Sequence, residues 1–306
     1  MLYRGEAIDT GGAGRWRGGL GGRFAFILHK TNKEFTHVSA AFHVAIPNGG
    51  ALSGGLPGAS VTYRIKRDTN VWDEIGRGAL PQDLDTLTGK LDILHPKSQT
   101  TQSFNDVYAI NFFGGGGYGD PLDREPERVA SDVNQGFVST NAAGRLYGVV
   151  LRDGAVDIGG TASRRAAMHD ERRAGAQKPV MGAKPDEDAP GDIRINEYLT
   201  MSDDRIVCRR CGCDCGAASE NYKHSLHMKS IPFTALSPAN HDPADYIDEP
   251  VEFRAFFCRG CGTQVETEVA VTREPPVWDV QLLQEGHLAN QRGLENSQNF
   301  REGNQS

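Results

Sequence analysis

Short apolar runs alternate with glycine-rich stretches over the first 120 residues. Arg23 to Leu28, Phe35 to Ile46, Val61 to Lys66 and Asp106 to Phe113 are rich in aromatic and β-branched residues, which predicts strands. Between them GGAGRWRGGLGG, PNGGALSGGLPG and GGGG predict loops.

Beyond residue 120 the period changes. Glu125-Pro126-Glu127 puts a proline and acids at a helix start, Val129 and Val133 supply one apolar stripe, and Gly136 ends the turn. Ser139 is the expected cap of a second helix over Thr140 to Tyr147. GVVLRDGAVDIGG predicts a hairpin turning at Asp153-Gly154, and Thr161 is the expected cap of a third helix, ASRRAAMHDERRAGA.

Gln177 to Asp192 carries three prolines and many charges with almost nothing apolar, the composition of a linker. The chain therefore divides into a first domain (1–176), a linker (177–192), a second domain (193–285) and a polar tail (286–306). The expected class is α+β: a β-rich first domain with glycine-loop connections and a short helical segment, then a small zinc-ribbon-like domain. No internal repeat is visible.

Composition narrows the function. A length of 306 residues with 38% apolar content allows a sizeable core and about two domains. A net charge of −7 argues against a nucleic-acid partner, which requires clustered Lys and Arg. The amino-terminal stretch has no apolar run behind its charges, so no secretory leader is expected. The longest uncharged run, Phe35 to Tyr63, is broken by Pro47 and Pro57, so no membrane span is expected either. The reading is a cytoplasmic protein.

All six cysteines fall between Cys208 and Cys261, and a reducing compartment favours metal ligation over disulfides. Cys208-x2-Cys211 and Cys258-x2-Cys261 are two knuckles, together a candidate four-thiolate zinc site. Each is followed by a glycine, where the backbone must curl. Four ligands leave no open position, so the role expected for the zinc is structural. The alternative is four free thiols buried in a core. Cys213 and Cys215 exceed what one zinc needs; they could replace one of the first pair, remain free, or join His224 and His227 around a second metal.

Gly114, Gly116 and Gly119 formally satisfy G-x-G-x-x-G, but a four-glycine run does so almost automatically. Asp120, Pro121 and several charged residues precede the next helix, and no Lys-Ser or Lys-Thr follows, which excludes a P-loop. The run is expected to be a tight backbone passage, with ligand contact at 114–119 left open. His29, His37, His43, His95 and His169 sit singly. His37 and His43 could share a strand face, yet a core or surface role is expected of them. No nucleophile elbow occurs, and no catalytic or cofactor-binding residue can be named.

The run GGGGYGDPLDREPERVASDVNQGFVSTNAAGRLYGVVL, with DTGGAGRWRGGLGG and SGGLPGA upstream, resembles the carboxy-terminal signature of the hydantoinase B family. That family includes N-methylhydantoinase B subunits, the matching half of 5-oxoprolinases and large subunits of ketone carboxylases. INEYL, CRRCG, SENYK, FRAFFCRGCGTQVETEV and PPVWDVQL resemble the small zinc-carrying subunit of acetone and acetophenone carboxylases. The resemblance implies large hydantoinase A/B-type partner subunits that use ATP and a divalent metal. They would activate a ketone or amide-like substrate as a phosphorylated enol or imidate, which bicarbonate or water then captures.

Two departures accompany the resemblance. Hydantoinase B subunits are longer, and the segment with their metal-binding acids and histidines does not precede the signature here. Cys213 and Cys215 also lie outside the small-subunit pattern. The expectation is therefore a structural or accessory carboxylase component without a complete active site, with Arg15, Arg17 and Arg124 as candidate anion or partner contacts. Two alternatives stand beside it: a stand-alone zinc-binding assembly or regulatory module, and a component of a hydantoinase- or oxoprolinase-type amide hydrolase.

Overall fold

The computed structural model describes residues 1–40, 43–47, 49–185 and 192–281. Residues 186–191 of the expected linker and all of the expected tail, 286–306, lie outside that description.

Along the first half run β1 (Tyr3–Glu6), β2 (Gly22–Phe26), β3 (Phe35–Ala40), β4 (Thr62–Arg67), α1 (Val71–Gly76), β5 (Lys90–Ile93), β6 (Lys97–Gln102) and β7 (Val107–Asn111). Five of these strands form an antiparallel sheet in the order β1-β2-β7-β4-β5. Ala25 stands opposite Ala109 at its centre, and with Val107, Val71 and Leu84 they make one buried core. β3 and β6 form a separate antiparallel ribbon that leaves Phe35 and Val38 exposed.

The helices follow as α2 (Pro126–Asn134), α3 (Thr140–Leu146) and, after the hairpin β8 (Leu151–Arg152) and β9 (Ala155–Val156), α4 (Ile158–Arg173). Pro126 sits in the first turn of α2 and Gly136 follows at φ +75°. The Ser139 side chain caps α3 by accepting from the Ala142 N–H. Asp153 and Gly154 both take positive φ, as the hairpin turn demands. α4 begins earlier than its expected cap. Asp157 accepts from the Gly160 N–H, and Thr161 lies one turn inside, where its hydroxyl accepts from the Val150 N–H. An aspartate is at least as good a cap as threonine, and the two intervening glycines did not prevent the helix.

The second half contains β10 (Ile193–Arg194), β11 (Leu199–Ser202), β12 (Arg205–Cys208) and β13 (Asp214–Ala217) in one four-stranded sheet. A three-stranded sheet follows from β14 (His227–Ile231), β15 (Val251–Phe257) and β16 (Gln264–Val271). Every strand pair within the named sheets is antiparallel.

One face of the β14–β16 sheet supplies Phe253, Ala255 and Phe257 to a core that also contains Val129, Val138, Ala142, Ala143 and Tyr147 from the α2–α3 region. Ala13 and Leu56 from the glycine segments close the same core. The other face carries Phe256 into a second core with Leu199, Ile206, Tyr222 and the cysteines. Alternation along one strand thus serves two cores, the expected behaviour of a sheet covered on both sides.

Candidate metal centre and glycine stack

Residues 9–22, 49–59 and 112–120 pack backbone against backbone. The Gly12 N–H donates to Gly115 O (2.8 Å), Gly117 N–H to Leu56 O (2.9 Å), Leu56 N–H to Ala13 O (2.7 Å) and Ala59 N–H to Thr10 O (2.8 Å). A Cβ on Gly116 would lie 1.7 Å from Gly50 O, and one on Gly114 1.9 Å from Thr10 O. These glycines are there because no side chain fits between the chains. The glycine run packs against its neighbours, and the Gly115 and Gly117 amides donate to the Gly19 and Leu56 carbonyls.

The stack leads directly into Asp120, which is completely buried. Arg172 of α4 clamps it through two hydrogen bonds, 2.7 and 3.0 Å, and the Gln264 N–H donates to it at 2.9 Å. The Asp120 N–H donates to the Tyr198 hydroxyl (2.7 Å), which donates to Asp123 (2.8 Å). Burial pushes the Asp120 carboxyl up, but the Arg172 charge and three donors outweigh it and hold it below its ordinary value. Burial pushes the Tyr198 hydroxyl up, so it stays protonated as a donor. Arg210 completes the group by pairing with Asp123.

From this polar cluster the chain passes to the cysteines through two matching hairpins. In the first, Cys208 N–H donates to Cys213 O (2.8 Å) and Gly212 N–H to Cys208 O (2.8 Å); in the second, Cys258 N–H donates to Thr263 O (2.9 Å) and Gly262 N–H to Cys258 O (2.9 Å). Gly212 and Gly262 stand at φ +72° and +74°, the left-handed turn that the CxxCG spacing predicted. Cys213 and Thr263 therefore hold equivalent places.

The hairpins bring Cys208, Cys211, Cys258 and Cys261 together, with all four Sγ atoms within 4.8 Å of one another. Two opposed pairs measure 3.9 Å (Cys208–Cys261) and 3.6 Å (Cys211–Cys258). A tetrahedron with zinc–sulfur bonds of ~2.3 Å has edges of about 3.8 Å, so the donor set fits such an ion. Without a cation the thiols cannot all ionise: hydrogen bonds with Cys208 pull Cys211 and Cys261 down and push Cys258 up. Among the described residues this is the group able to hold a metal ion.

The remaining candidates lie outside it. Cys213 and Cys215 are buried beside the cluster, their thiols turned to the Asp214 and Cys213 carbonyls. His224 is exposed, and His227 faces the Ala174 carbonyl. In the first half His37 stacks on Tyr108 and bonds Gln102, His29 stacks on Trp72, His43 lies edge-on to Phe113, and His95 lies by Tyr246. His169 faces the Gly262 carbonyl of the second knuckle. Arg17 and Arg124 both grip Asp132 in the interior, and Arg15 pairs with Glu197 at the surface.

Asp120, Asp123, Arg172 and Tyr198 were not singled out by sequence reasoning. The available sign was GDPLD, an acid locked between the last glycine and a proline. The stretch expected to be linker also has a place: Asp214 N–H donates to Val180 O and Gly182 N–H to Gly212 O, both at 2.9 Å, so residues 180–182 run along the first knuckle.

Residues 4–121 match the family model of hydantoinase B/oxoprolinase, and residues 192–286 that of the acetone carboxylase gamma subunit. The acetone carboxylase alpha subunit of Xanthobacter autotrophicus is 35% identical over 195 residues, covering 57% of this chain and 25% of that protein. The acetophenone carboxylase delta subunit of Aromatoleum aromaticum is 31% identical over 179 residues, covering 54% and 26%. A solved nucleotide-free acetone carboxylase aligns at 32% identity and a TM-score of 0.47, covering 57% of this chain and 25% of the other. The chain thus spans about a quarter of the length of the curated relatives it matches. Both resemblances read from the residues are borne out: one polypeptide carries a segment similar to hydantoinase B/oxoprolinase and another similar to the acetone carboxylase gamma subunit.

Proposed function

We propose that this chain is a structural or accessory component of an ATP-dependent ketone carboxylase related to the acetone and acetophenone enzymes. The observation that carries this reading is the presence in one chain of segments matching two parts of such machines. Zinc is the proposed occupant of Cys208, Cys211, Cys258 and Cys261; it would be closed by four thiolates and would serve folding, with no position for substrate. ATP and a further divalent metal belong to partner subunits of the hydantoinase A/B type. The proposed location is the cytoplasm; among the described residues no helix is long and apolar enough to cross a membrane.

The test is native purification from cells grown on a ketone. Co-purification with large subunits, and ketone-stimulated ATP hydrolysis that depends on this chain, is the expected result. A protein that purifies alone and adds nothing to such an activity overturns the reading.

A second reading rests on the hydantoinase B/oxoprolinase match over residues 4–121. On that reading the assembled complex cleaves a cyclic amide, and a hydantoin or 5-oxoproline stimulates its ATP hydrolysis where a ketone does not.

A further inference from the structure

Between the α3–α4 region and the β14–β16 sheet lies a recess of about 350 Å³. Leu56, Leu146 and Met168 line it from one side, and Ile231, Leu236 and Phe257 from the other. The recess is open to solvent on one side, and most of its lining is apolar. The size and lining are those of a small-molecule site, where a few polar groups fix orientation.

Four charged residues reach this cavity: Arg145, Glu171, Arg172 and Lys229. Arg172 is neutralised by Asp120, and the Glu171 carboxylate pairs with Arg164. Arg145 and Lys229 differ. Arg145 donates to the Ala235 carbonyl and Lys229 to the Glu171 carbonyl, and neither meets a carboxylate among the described residues. Each retains further N–H donors, since a guanidinium has five and an ammonium three. Two uncompensated cations at an apolar cavity, in a chain of net charge −7, call for an anion with an apolar body.

We propose that this cavity binds a small monocarboxylate with an aromatic or branched apolar body, its charged end met by Arg145 and Lys229. Because the lining comes from both sides of the seam, the occupied site would also clamp the β14–β16 sheet to α3 and α4. The inference is independent of the carboxylase reading and stands or falls on binding alone.

Calorimetric titration of the full-length, metal-loaded protein with sodium benzoate tests it, with benzyl alcohol and benzylamine as neutral and cationic counterparts. One saturable benzoate site is expected, with benzyl alcohol weaker by about 10-fold, the scale of one lost charge-assisted contact. Benzylamine should not bind. Lys229→Gln should weaken benzoate by a similar factor, and Met168→Trp, which fills the cavity, should abolish it. Ala235→Leu blocks the opposite wall and serves if Met168→Trp does not fold. Absence of saturable benzoate binding, equal affinity for benzyl alcohol, or unchanged binding in the folded blocking variants overturns the proposal.

Discussion

Arg172 reaches from the last turn of α4 to grip both oxygens of Asp120, a carboxylate with no exposure to solvent, while the Gln264 N–H just beyond the second knuckle holds the same group. A single buried acid thereby joins the end of the glycine stack to the cysteine hairpins. Asp120→Asn should leave Arg172 buried without a counter-charge and cost about 3–5 kcal/mol, read as a fall in the urea midpoint. The folded carboxyl titrates below its ordinary value, so its contribution is present above the unfolded value and is lost as pH falls through the folded one. The wild type should therefore lose its advantage over Asp120→Asn towards strongly acid pH.

Cys208→Ser and Cys261→Ser should each abolish stoichiometric metal, measured by elemental analysis of the purified protein. Because Phe253 and Phe257 belong to the core that also holds Val129 and Tyr147, loss of the metal should loosen α2 and α3 as well as the cysteine hairpins. Hydrogen exchange resolves this. Protection unchanged in α2 and α3 after chelation would contradict it.

Glu266 offers a pH dependence of the opposite sign. Burial, reinforced by the nearby Asp279 charge, raises its carboxyl to about 7 from an ordinary value of 4.5. A raised value means the stabilising contribution is complete below the unfolded value and disappears as pH rises through about 7. Glu266→Gln should thus gain stability relative to wild type between pH 5 and 8. Parallel denaturant curves for the two proteins across that range would show the expectation to be wrong.

Gly116→Ala should destabilise by about 1–3 kcal/mol or more, since its new methyl would fall on the Gly50 carbonyl and backbone must move. Gly50→Ala is the control, because nothing lies within 4 Å of a Cβ there. Equal thermal midpoints for the two variants would remove the stack argument.

Legibility in the sequence followed the range of the interactions. Pro126, Ser139 and the Asp153-Gly154 turn act within a few residues, and each element appears where its punctuation placed it. The knuckles were legible because CxxCG is a local geometry that carries its own glycine. β5 and β6 were not anticipated: Lys97–Gln102 is a polar run, KSQTTQ, that becomes a strand only because β3 lies beside it. The Asp120 cluster was hidden for the same reason, as its partners stand 52 and 144 residues away. The shared core is equally nonlocal, for strand alternation in β15 says that two faces are covered but not by what.

A run of identical residues carries no information about its own alignment. Within the stack Gly115 and Gly117 make the backbone bonds, and a slip by one position would carry Phe113 or Tyr118 into a place where a Cβ lies 1.9 or 2.3 Å from a backbone carbonyl oxygen. What selects the observed alignment must lie at the ends: Tyr118, bridged to Trp16, and Asp120, anchored on Arg172 and on the amide of Gln264. The two aromatic side chains that border the run thus set the limits of its alignment, and the cysteine-bearing half pins one end of it through the amide of Gln264.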